Sequence, residues 1–297
     1  MNINEIKGLD VGTIKENIDL KKYTTYNING TAKILVIPKD IESLIKLIDY
    51  IKVNKLKYKI LGFGSNLVFT KKEYDGILIK LDKLDEVEII GSTIKVGAGY
   101  NLIKLSLLAA RNDLTGLEFA SGIPGSVGGA VFMNAGAYKS DMGYIVQKIK
   151  VLTNNLEIKT LYNKELNFHY RTSFLQKNPG YICLSATIKL NRGKKEAIME
   201  VIRDRKLRRI ESQPLEFPSA GSVFRNPEGD YAGRLIEELG YKGYSIGGAE
   251  VSEKHANFII NKGGATGEDI KKLITEIQDK VKNKFNIELK VEQEFVE

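Results

Sequence analysis

Gly122-Ile123-Pro124-Gly125-Ser126-Val127-Gly128-Gly129 runs directly into Ala130-Val131-Phe132-Met133-Asn134-Ala135-Gly136-Ala137-Tyr138. Four glycines and a proline stand between an apolar lead-in (Leu117, Phe119) and an Ala/Val/Met segment able to start a helix. Backbone amides there lie open, with no Cβ to hold a ligand away. A simple chain reversal needs one or two glycines, and here they continue at a spacing that leaves one wall bare. That is the outline of a phosphate cradle. It is not the dinucleotide fingerprint of a Rossmann unit: no strand of buried type leads into Gly-x-Gly-x-x-Gly, and no acidic residue is placed to hold a ribose.

A second glycine-bearing turn precedes it. Lys59-Ile60-Leu61 reads as a strand entering Gly62-Phe63-Gly64-Ser65-Asn66-Leu67, whose Ser and Asn can bond an anion or cap the next element. A pyrophosphate is the ligand that most simply uses both turns.

The rest of the chain surrounds these turns with alternating elements. Residues 1–22 read as a short helical or irregular lead. Tyr23 to Gly30 alternates aromatic or aliphatic with polar residues in the manner of a strand, and Lys33 to Ile37 continues as one up to Pro38. Asp40 caps a helix to about Lys55, with Ile41, Leu44, Ile45, Ile48 and Ile51 on one face. Ile77 to Leu81 closes a small α/β unit. Val87–Ile90 and Thr93–Val96 form a hairpin about Gly91-Ser92, followed by a helix from Asn101 to Arg111. A second hairpin pairs Ile145–Leu152 with Leu156–Leu161, and Tyr181–Leu190 is a further strand. The charged helix Lys194–Glu211 leads to a last region, with a helix at Ala232–Leu239, a strand at Ala256–Ile260, a helix opened by Thr266 and Asp269, and a strand from Ile287.

With 297 residues the chain exceeds one ordinary core, since domains commonly hold about 100–150 residues. Hydrophobic content of 42% and charged content of 28% are those of a globular protein. The net charge of +8 favours anionic partners. The lysines are dispersed, however, and the densest basic run, Arg203 to Arg209, lies in a helical stretch with acidic neighbours, so a solvated face explains it better than nucleic acid. The one cysteine, Cys183, sits in an apolar strand pattern and reads as a buried small hydrophobe. Met1 to Lys22 lacks the apolar core of a signal peptide, and no segment reaches the ~20 apolar residues of a membrane helix, which points to a cytoplasmic protein.

Two further segments set small or hydroxylated residues beside a guanidinium: Tyr170-Arg171-Thr172-Ser173-Phe174 and Ala220-Gly221-Ser222-Val223-Phe224-Arg225-Asn226-Pro227. Either suits a carboxylate or phosphate, and either can be a surface turn. Taken in order with the two glycine turns, Asn134-Ala135-Gly136-Ala137-Tyr138 and Val251-Ser252-Glu253-Lys254-His255-Ala256-Asn257-Phe258, they resemble the UDP-N-acetylenolpyruvoylglucosamine reductase family, from about Tyr23 nearly to the end. The uninterrupted passage from Arg171 to Cys183 resembles its shorter class, without the substrate-closing insertion.

The resemblance implies an α+β protein. Its FAD-binding fold would be of the vanillyl-alcohol-oxidase (PCMH) type, made of two α/β subdomains, residues 1–82 and 83–197, with a C-terminal α/β substrate-binding domain, residues 198–297. It implies non-covalent FAD held by Gly62, Gly64, Ser65, Asn66, Leu67, Gly122, Ile123, Gly125, Ser126, Gly128 and Gly129, and NADPH as hydride donor. Neither of the two histidines, His169 and His255, lies at a recognisable flavin-attachment position. The implied reaction is reduction of an enolpyruvyl ether on a UDP-sugar, with charge building up beside the carboxylate and a proton required at the adjacent carbon.

By the same resemblance Ser222 is the proton donor, Arg171 and Glu294 stabilise the enolate, and Tyr138, Arg225, Asn226, Lys254 and His255 meet the substrate. The tail departs from the family pattern. There the glutamate commonly follows Pro and an arginine stands two residues on, whereas here it reads Glu292-Gln293-Glu294-Phe295-Val296-Glu297. Glu292 competes for the role, alternation puts both glutamates on one face, and Lys254 or Arg234 must supply the charge missing at Val296. Asn29 stands at a common glycine position and is expected to keep its left-handed turn. His255 has two readings, a substrate contact or a packed strand residue. Two other functions stand beside the reductase: a flavin oxidase or dehydrogenase of the same superfamily acting on a sugar or hydroxy acid, and a non-catalytic nucleotide- or nucleic-acid-binding protein.

Overall fold

Asp40 caps the helix Ile41–Val53, its carboxylate accepting from the Ser43 N–H at 2.7 Å, and Leu44, Leu47, Ile48 and Ile51 are buried along one face. The computed structural model describes residues 3–297. They separate into two units of interleaved sequence: residues 3–16, 34–62 and 76–207 in the first, and residues 17–33, 63–75 and 208–297 in the second. The chain-order division at residues 82 and 197 does not appear in that grouping.

In the first unit the capped helix covers strands whose inward residues are Ile34, Val36, Ile77 and Ile79, all fully buried with it in one core. Tyr58–Ile60 pairs in parallel with Glu73–Ile79, Tyr58 opposite Ile77. The sheet order is Gly12–Asp19, Thr31–Pro38, Glu73–Ile79, Tyr58–Ile60. A five-stranded antiparallel sheet follows, in the order Ile158–Tyr162, Val146–Leu152, Ile182–Lys189, Thr93–Gly97, Val87–Ile90. Both expected hairpins are there, Val87–Ile90 with Thr93–Gly97 and Val146–Leu152 with Ile158–Tyr162. Cys183 is buried in the central strand and its thiol is pushed up to about 12 by that burial. The small-hydrophobe reading therefore holds.

In the second unit the helix Gly267–Phe285 buries Ile270, Leu273, Ile274, Ile277 and Val281 at helical spacing. Each contributes about 1.5–3 kcal/mol of gross transfer free energy. Its capping box is complete: Thr266 N–H donates to Asp269 at 2.9 Å and Asp269 N–H to the Thr266 hydroxyl at 3.1 Å. A three-stranded antiparallel sheet holds Ser245–Ile246, Ala249–Val251 and Ile259–Asn261. Glu294–Val296 pairs in parallel with Leu67–Phe69, Glu294 opposite Leu67.

Several elements differ from the sequence reading. Residues 1–22 contain a strand, Gly12–Asp19, in which only Ile18 is buried, so an edge position left no alternation to read. Tyr23 to Gly30 is turn and loop, with Tyr26 and Ile28 buried as anchors. The left-handed residue in that stretch is Asn27 (φ 56°), not Asn29. The strand expected at Ala256 begins at Ile259, and the last strand begins at Glu294 rather than Ile287.

Candidate active site

Ser126 ends the Gly122 to Ser126 approach and caps the helix Val127–Met133, accepting from the Gly129 N–H at 3.2 Å. The N–H groups of Val127 and Gly128 donate to the carbonyls of Tyr100 and Ala98 at 2.9 and 2.8 Å. A Cβ on Gly128 would stand 2.9 Å from the Ala98 Cβ, so this glycine is bare for packing. The expected open amides are thus already engaged at residues 127–129. Upstream, the Ile123 N–H is engaged as well, donating to the Ala120 carbonyl at 3.1 Å. Gly62 approaches from the other turn: a Cβ there would lie 2.9 Å from the Ser126 hydroxyl. The Lys80 ammonium, 11% exposed, donates to the Gly62 carbonyl at 3.0 Å and sits 3.3 Å from Asp82. Two glycine-flanked turns beside a half-neutralised cation suit the pyrophosphate of a flavin dinucleotide. Lys80 lies outside both motifs, at a strand end, and its role in the turn was not readable from its neighbours.

Arg171 also lies in the first unit, with φ 55°, a left-handed conformation costing a non-glycine residue about 1–2 kcal/mol. Its loop is fastened to the C-terminal end of the helix Val127–Met133. Asn134 Nδ2 donates to the His169 carbonyl at 2.9 Å, Ser173 Oγ to the Phe132 carbonyl at 2.7 Å, and Gln176 Nε2 to the carbonyls of Phe132 and Arg171 at 2.8 and 3.0 Å. The carbonyl of Phe132, left over at a helix end, supplies the anchor. Tyr138, expected at the substrate, has φ 54°; its hydroxyl donates to the Arg205 carbonyl at 3.1 Å and the Arg205 guanidinium stacks 4.7 Å from its ring centre.

The second unit holds the other group of expected residues: Gly64, Ser65, Asn66, Leu67, Ser222, Arg225, Asn226, Lys254, His255 and Glu294. The segment carrying Ser222 lies antiparallel to the tail, Phe224 opposite Val291, with Arg225 N–H donating to Lys290 O at 2.9 Å and Glu292 N–H to Val223 O at 2.8 Å. On the tail's other side, Asn66 Nδ2 donates to Glu292 O at 3.1 Å and Glu294 N–H to Asn66 O at 2.9 Å. The segment Glu292-Gln293-Glu294 is therefore threaded between the Ser222 segment and the Gly64–Leu67 turn. Gln293, at a bend, is buried and both glutamates are half-buried. Gly64 has φ 64°, and a Cβ on it would fall 2.1 Å from the Tyr23 carbonyl.

Asn226 accepts from Ala232 N–H at 3.1 Å at the start of the helix Ala232–Glu238. The Lys254 ammonium donates to the Ile210 carbonyl at 2.6 Å, near the C-terminal end of the helix Lys195–Ser212, where a cation suits the helix dipole. Arg234 bonds Asp230 (Nε, 2.7 Å) and Glu238, and its guanidinium holds the Asp230 carboxyl at about 2. Val296 is only 6% exposed. Asn257, missed in the sequence because it lay inside an expected strand, grips the backbone of Phe224 from both sides, accepting from its N–H at 3.0 Å and donating to its carbonyl at 2.8 Å.

His255 accepts from the Asn257 N–H through Nδ1 at 3.2 Å, and its ring meets Phe258 edge-on at 4.8 Å. Burial first, then the charge of Lys242, holds its pKa below the ordinary imidazole value. An accepting Nδ1 fixes the neutral ring, which favours the packed reading of this residue. The folded state then binds a proton less readily than the unfolded chain, so stability rises with pH across the window below about 6.5 and is complete above it. The Asp10, Asp40, Asp230 and Glu288 carboxyls are lowered, so their contributions are lost only at more acidic pH. Urea midpoints should fall between pH 7 and pH 5.5 in the parent protein, and His255→Gln should flatten that slope. An unchanged slope in the variant would assign it elsewhere.

A sequence model of the UDP-N-acetylenolpyruvoylglucosamine reductase C-terminal domain matches residues 213–296, and one of an FAD binding domain matches residues 32–162. UDP-N-acetylenolpyruvoylglucosamine reductase 1 of Bacillus cereus is 46% identical over 99% of this chain and 98% of its own. The chain belongs to the UDP-N-acetylenolpyruvoylglucosamine reductase family. The reductase of Halalkalibacterium halodurans is 45% identical, again over 99% of this chain and 98% of its own. The crystal structure of the Thermus caldophilus reductase superposes with a TM-score of 0.82 at 34% identity, covering 96% of this chain and 100% of that one. The α+β class, the FAD-binding domain and a reductase C-terminal domain are thus those of the family. Among the described residues no helix is long and apolar enough to cross a membrane.

Proposed function

We propose that this chain is an NADPH-dependent flavoenzyme that reduces the enolpyruvyl group of UDP-N-acetylenolpyruvoylglucosamine to give UDP-N-acetylmuramate for peptidoglycan, working in the cytoplasm. The observation that carries it is the threading of Glu292-Gln293-Glu294 between the Ser222 segment and the Gly64–Leu67 turn. Those backbone bonds put a hydroxyl, a carboxyl pair and a glycine turn expected at the cofactor on one small scaffold. In functional terms residues 1–82 and 83–197 serve FAD in the vanillyl-alcohol-oxidase manner, and residues 198–297 serve the sugar nucleotide.

FAD, when bound, passes reducing equivalents from NADPH to the terminal carbon of the enolpyruvyl group. The protein's task is to manage the charge and the proton. Arg171 offers a permanent cation to the substrate carboxylate, where negative charge accumulates. Ser222 delivers its hydroxyl proton to the adjacent carbon. A serine is a weak acid, and it suffices because the carbanion is strongly basic. A glutamate beside the enolate stabilises it only while protonated.

Glu294 is the glutamate the resemblance puts there, with Glu292 as its competitor. The backbone of both is tied to Asn66, and that of Glu292 to Val223 as well. Arg234 is engaged by Asp230 and Glu238 and Lys254 by a helix end, and the resemblance assigns Arg171 and Arg225 to the substrate's negative charge.

The test is NADPH consumption by the flavin-loaded protein with and without UDP-N-acetylenolpyruvoylglucosamine. Consumption should depend on the sugar nucleotide and match the UDP-N-acetylmuramate formed mole for mole. Turnover indifferent to it would overturn the reading. Glu294→Gln should slow the substrate step about a hundredfold and Glu292→Gln by less than about tenfold; the reverse order would give the role to Glu292.

A further inference from the structure

We propose that Gln293, braced by Tyr26, is the positioning residue that aims both Ser222 and the adjacent carboxylate. The proposal rests on Ser222 being the proton donor. Gln293 is 4% exposed and stands between two half-buried glutamates. Its Nε2 donates to the carbonyls of Ala220 and Gly221 at 3.2 and 3.3 Å, the two residues preceding Ser222. Its Oε1 accepts from the Tyr26 hydroxyl at 3.0 Å. Tyr26 is fully buried, burial pushes its phenol far up, and its own carbonyl accepts from Asn261 Nδ2 at 3.0 Å, so the brace is fixed at both ends.

The geometry gives this amide two tasks. Gly221, at φ 73°, turns the chain just before Ser222, and a Cβ there would meet nothing within 4 Å, so conformation rather than space calls for glycine. A glycine turn is compliant, and Gln293 removes that compliance by holding the carbonyls on either side of the Ala220–Gly221 bond. The same side chain, buried at a bend just before the strand Glu294–Val296, pins the chain between the half-buried Glu292 and Glu294. An apolar residue of equal size would fill the space and strand three buried polar groups: the Tyr26 hydroxyl and two carbonyls.

The experiment uses the full-length, FAD-loaded enzyme with Gln293→Met and Tyr26→Phe. Reduced enzyme is mixed with UDP-N-acetylenolpyruvoylglucosamine in H2O and in D2O, and flavin reduction by NADPH is measured separately. For Gln293→Met, reoxidation should slow about 20–100-fold, the loss expected of a misplacement near 1 Å, with NADPH reduction within about twofold of the parent. Its D2O effect on reoxidation should rise, because proton delivery becomes the slow event. Tyr26→Phe should move both in the same direction by about 3–5-fold. In a Ser222→Ala background, Gln293→Met should add less than about twofold.

Equal slowing of both half-reactions, an unchanged D2O effect, or failure of both variants to retain FAD would make Gln293 a structural residue and overturn the proposal. The two levels separate cleanly. A Ser222→Ala enzyme that reoxidises at the parent rate sinks the reading of Ser222 itself. A slow Ser222→Ala beside a parent-like Gln293→Met sinks the positioning role alone.

Discussion

Ser222→Ala should slow reoxidation of the reduced flavin by the sugar nucleotide about a thousandfold, within the range of a general acid, while its reduction by NADPH stays near normal. The asymmetry follows from where the hydroxyl sits. Val223 N–H bonds the Asn257 carbonyl at 2.9 Å and Asn257 grips Phe224, so the backbone around residue 222 is held by others and does not need the serine side chain. Deleting one oxygen there removes a proton source and leaves the scaffold. Stopped-flow absorbance of the flavin in each half-reaction checks it, and comparable losses in the two would return Ser222 to the rank of a turn hydroxyl.

Gly64→Ala should destabilise the protein by about 2–5 kcal/mol, the sum of a left-handed alanine and an overpacked site. The added carbon would meet the Tyr23 carbonyl at 2.1 Å and the Thr24 Cα at 2.8 Å, both backbone, which cannot rotate aside. Thr25 N–H also donates to the Gly64 carbonyl at 3.2 Å, so any shift propagates into that loop. Gly62→Ala is the informative partner. Its added carbon meets the Ser126 hydroxyl at 2.9 Å, a group that can swing to another rotamer at the cost of its cap on the Gly129 N–H, about 1 kcal/mol. The Gly64 variant should lose thermal stability with and without FAD, whereas the Gly62 variant should lose no more than that cap without FAD and bind FAD more weakly. Melting curves of both variants, apo and FAD-loaded, distinguish a glycine demanded by the fold from one demanded by the ligand.

Much of the fold was legible because periodicity and caps act locally. Asp40, Asn101 and Thr266 each announce a helix that is there, with Asn101 accepting from Lys104 N–H at 2.9 Å. The strand Gly12–Asp19 was not legible, because its polar residues carry no alternation at a sheet edge. Nor was the loop at Tyr23 to Gly30, where buried Tyr26 and Ile28 mimic a strand while serving as anchors. Within the site, the motifs named Gly62, Ser126, Arg171 and Ser222, and ordered resemblance supplied their roles. The residues holding them in place, Asn134, Gln176, Asn257 and Gln293, are amides bonded to carbonyls distant in sequence, and an amide in a row of letters does not say which carbonyl it will meet. Gly128 shows the opposite error: a glycine that looked bare for a ligand is bare for Ala98.

The pairing of Leu67–Phe69 with Glu294–Val296 has a consequence for how the molecule is made. A strand synthesised in the first quarter of the chain has no partner in its ladder until the last residues leave the ribosome, so the second unit cannot complete itself vectorially. Its earliest segment must wait, shielded or chaperoned, through most of translation. Severing the chain near residue 208 would therefore yield a C-terminal fragment deprived of Leu67–Phe69 and Tyr26, rather than an autonomous domain.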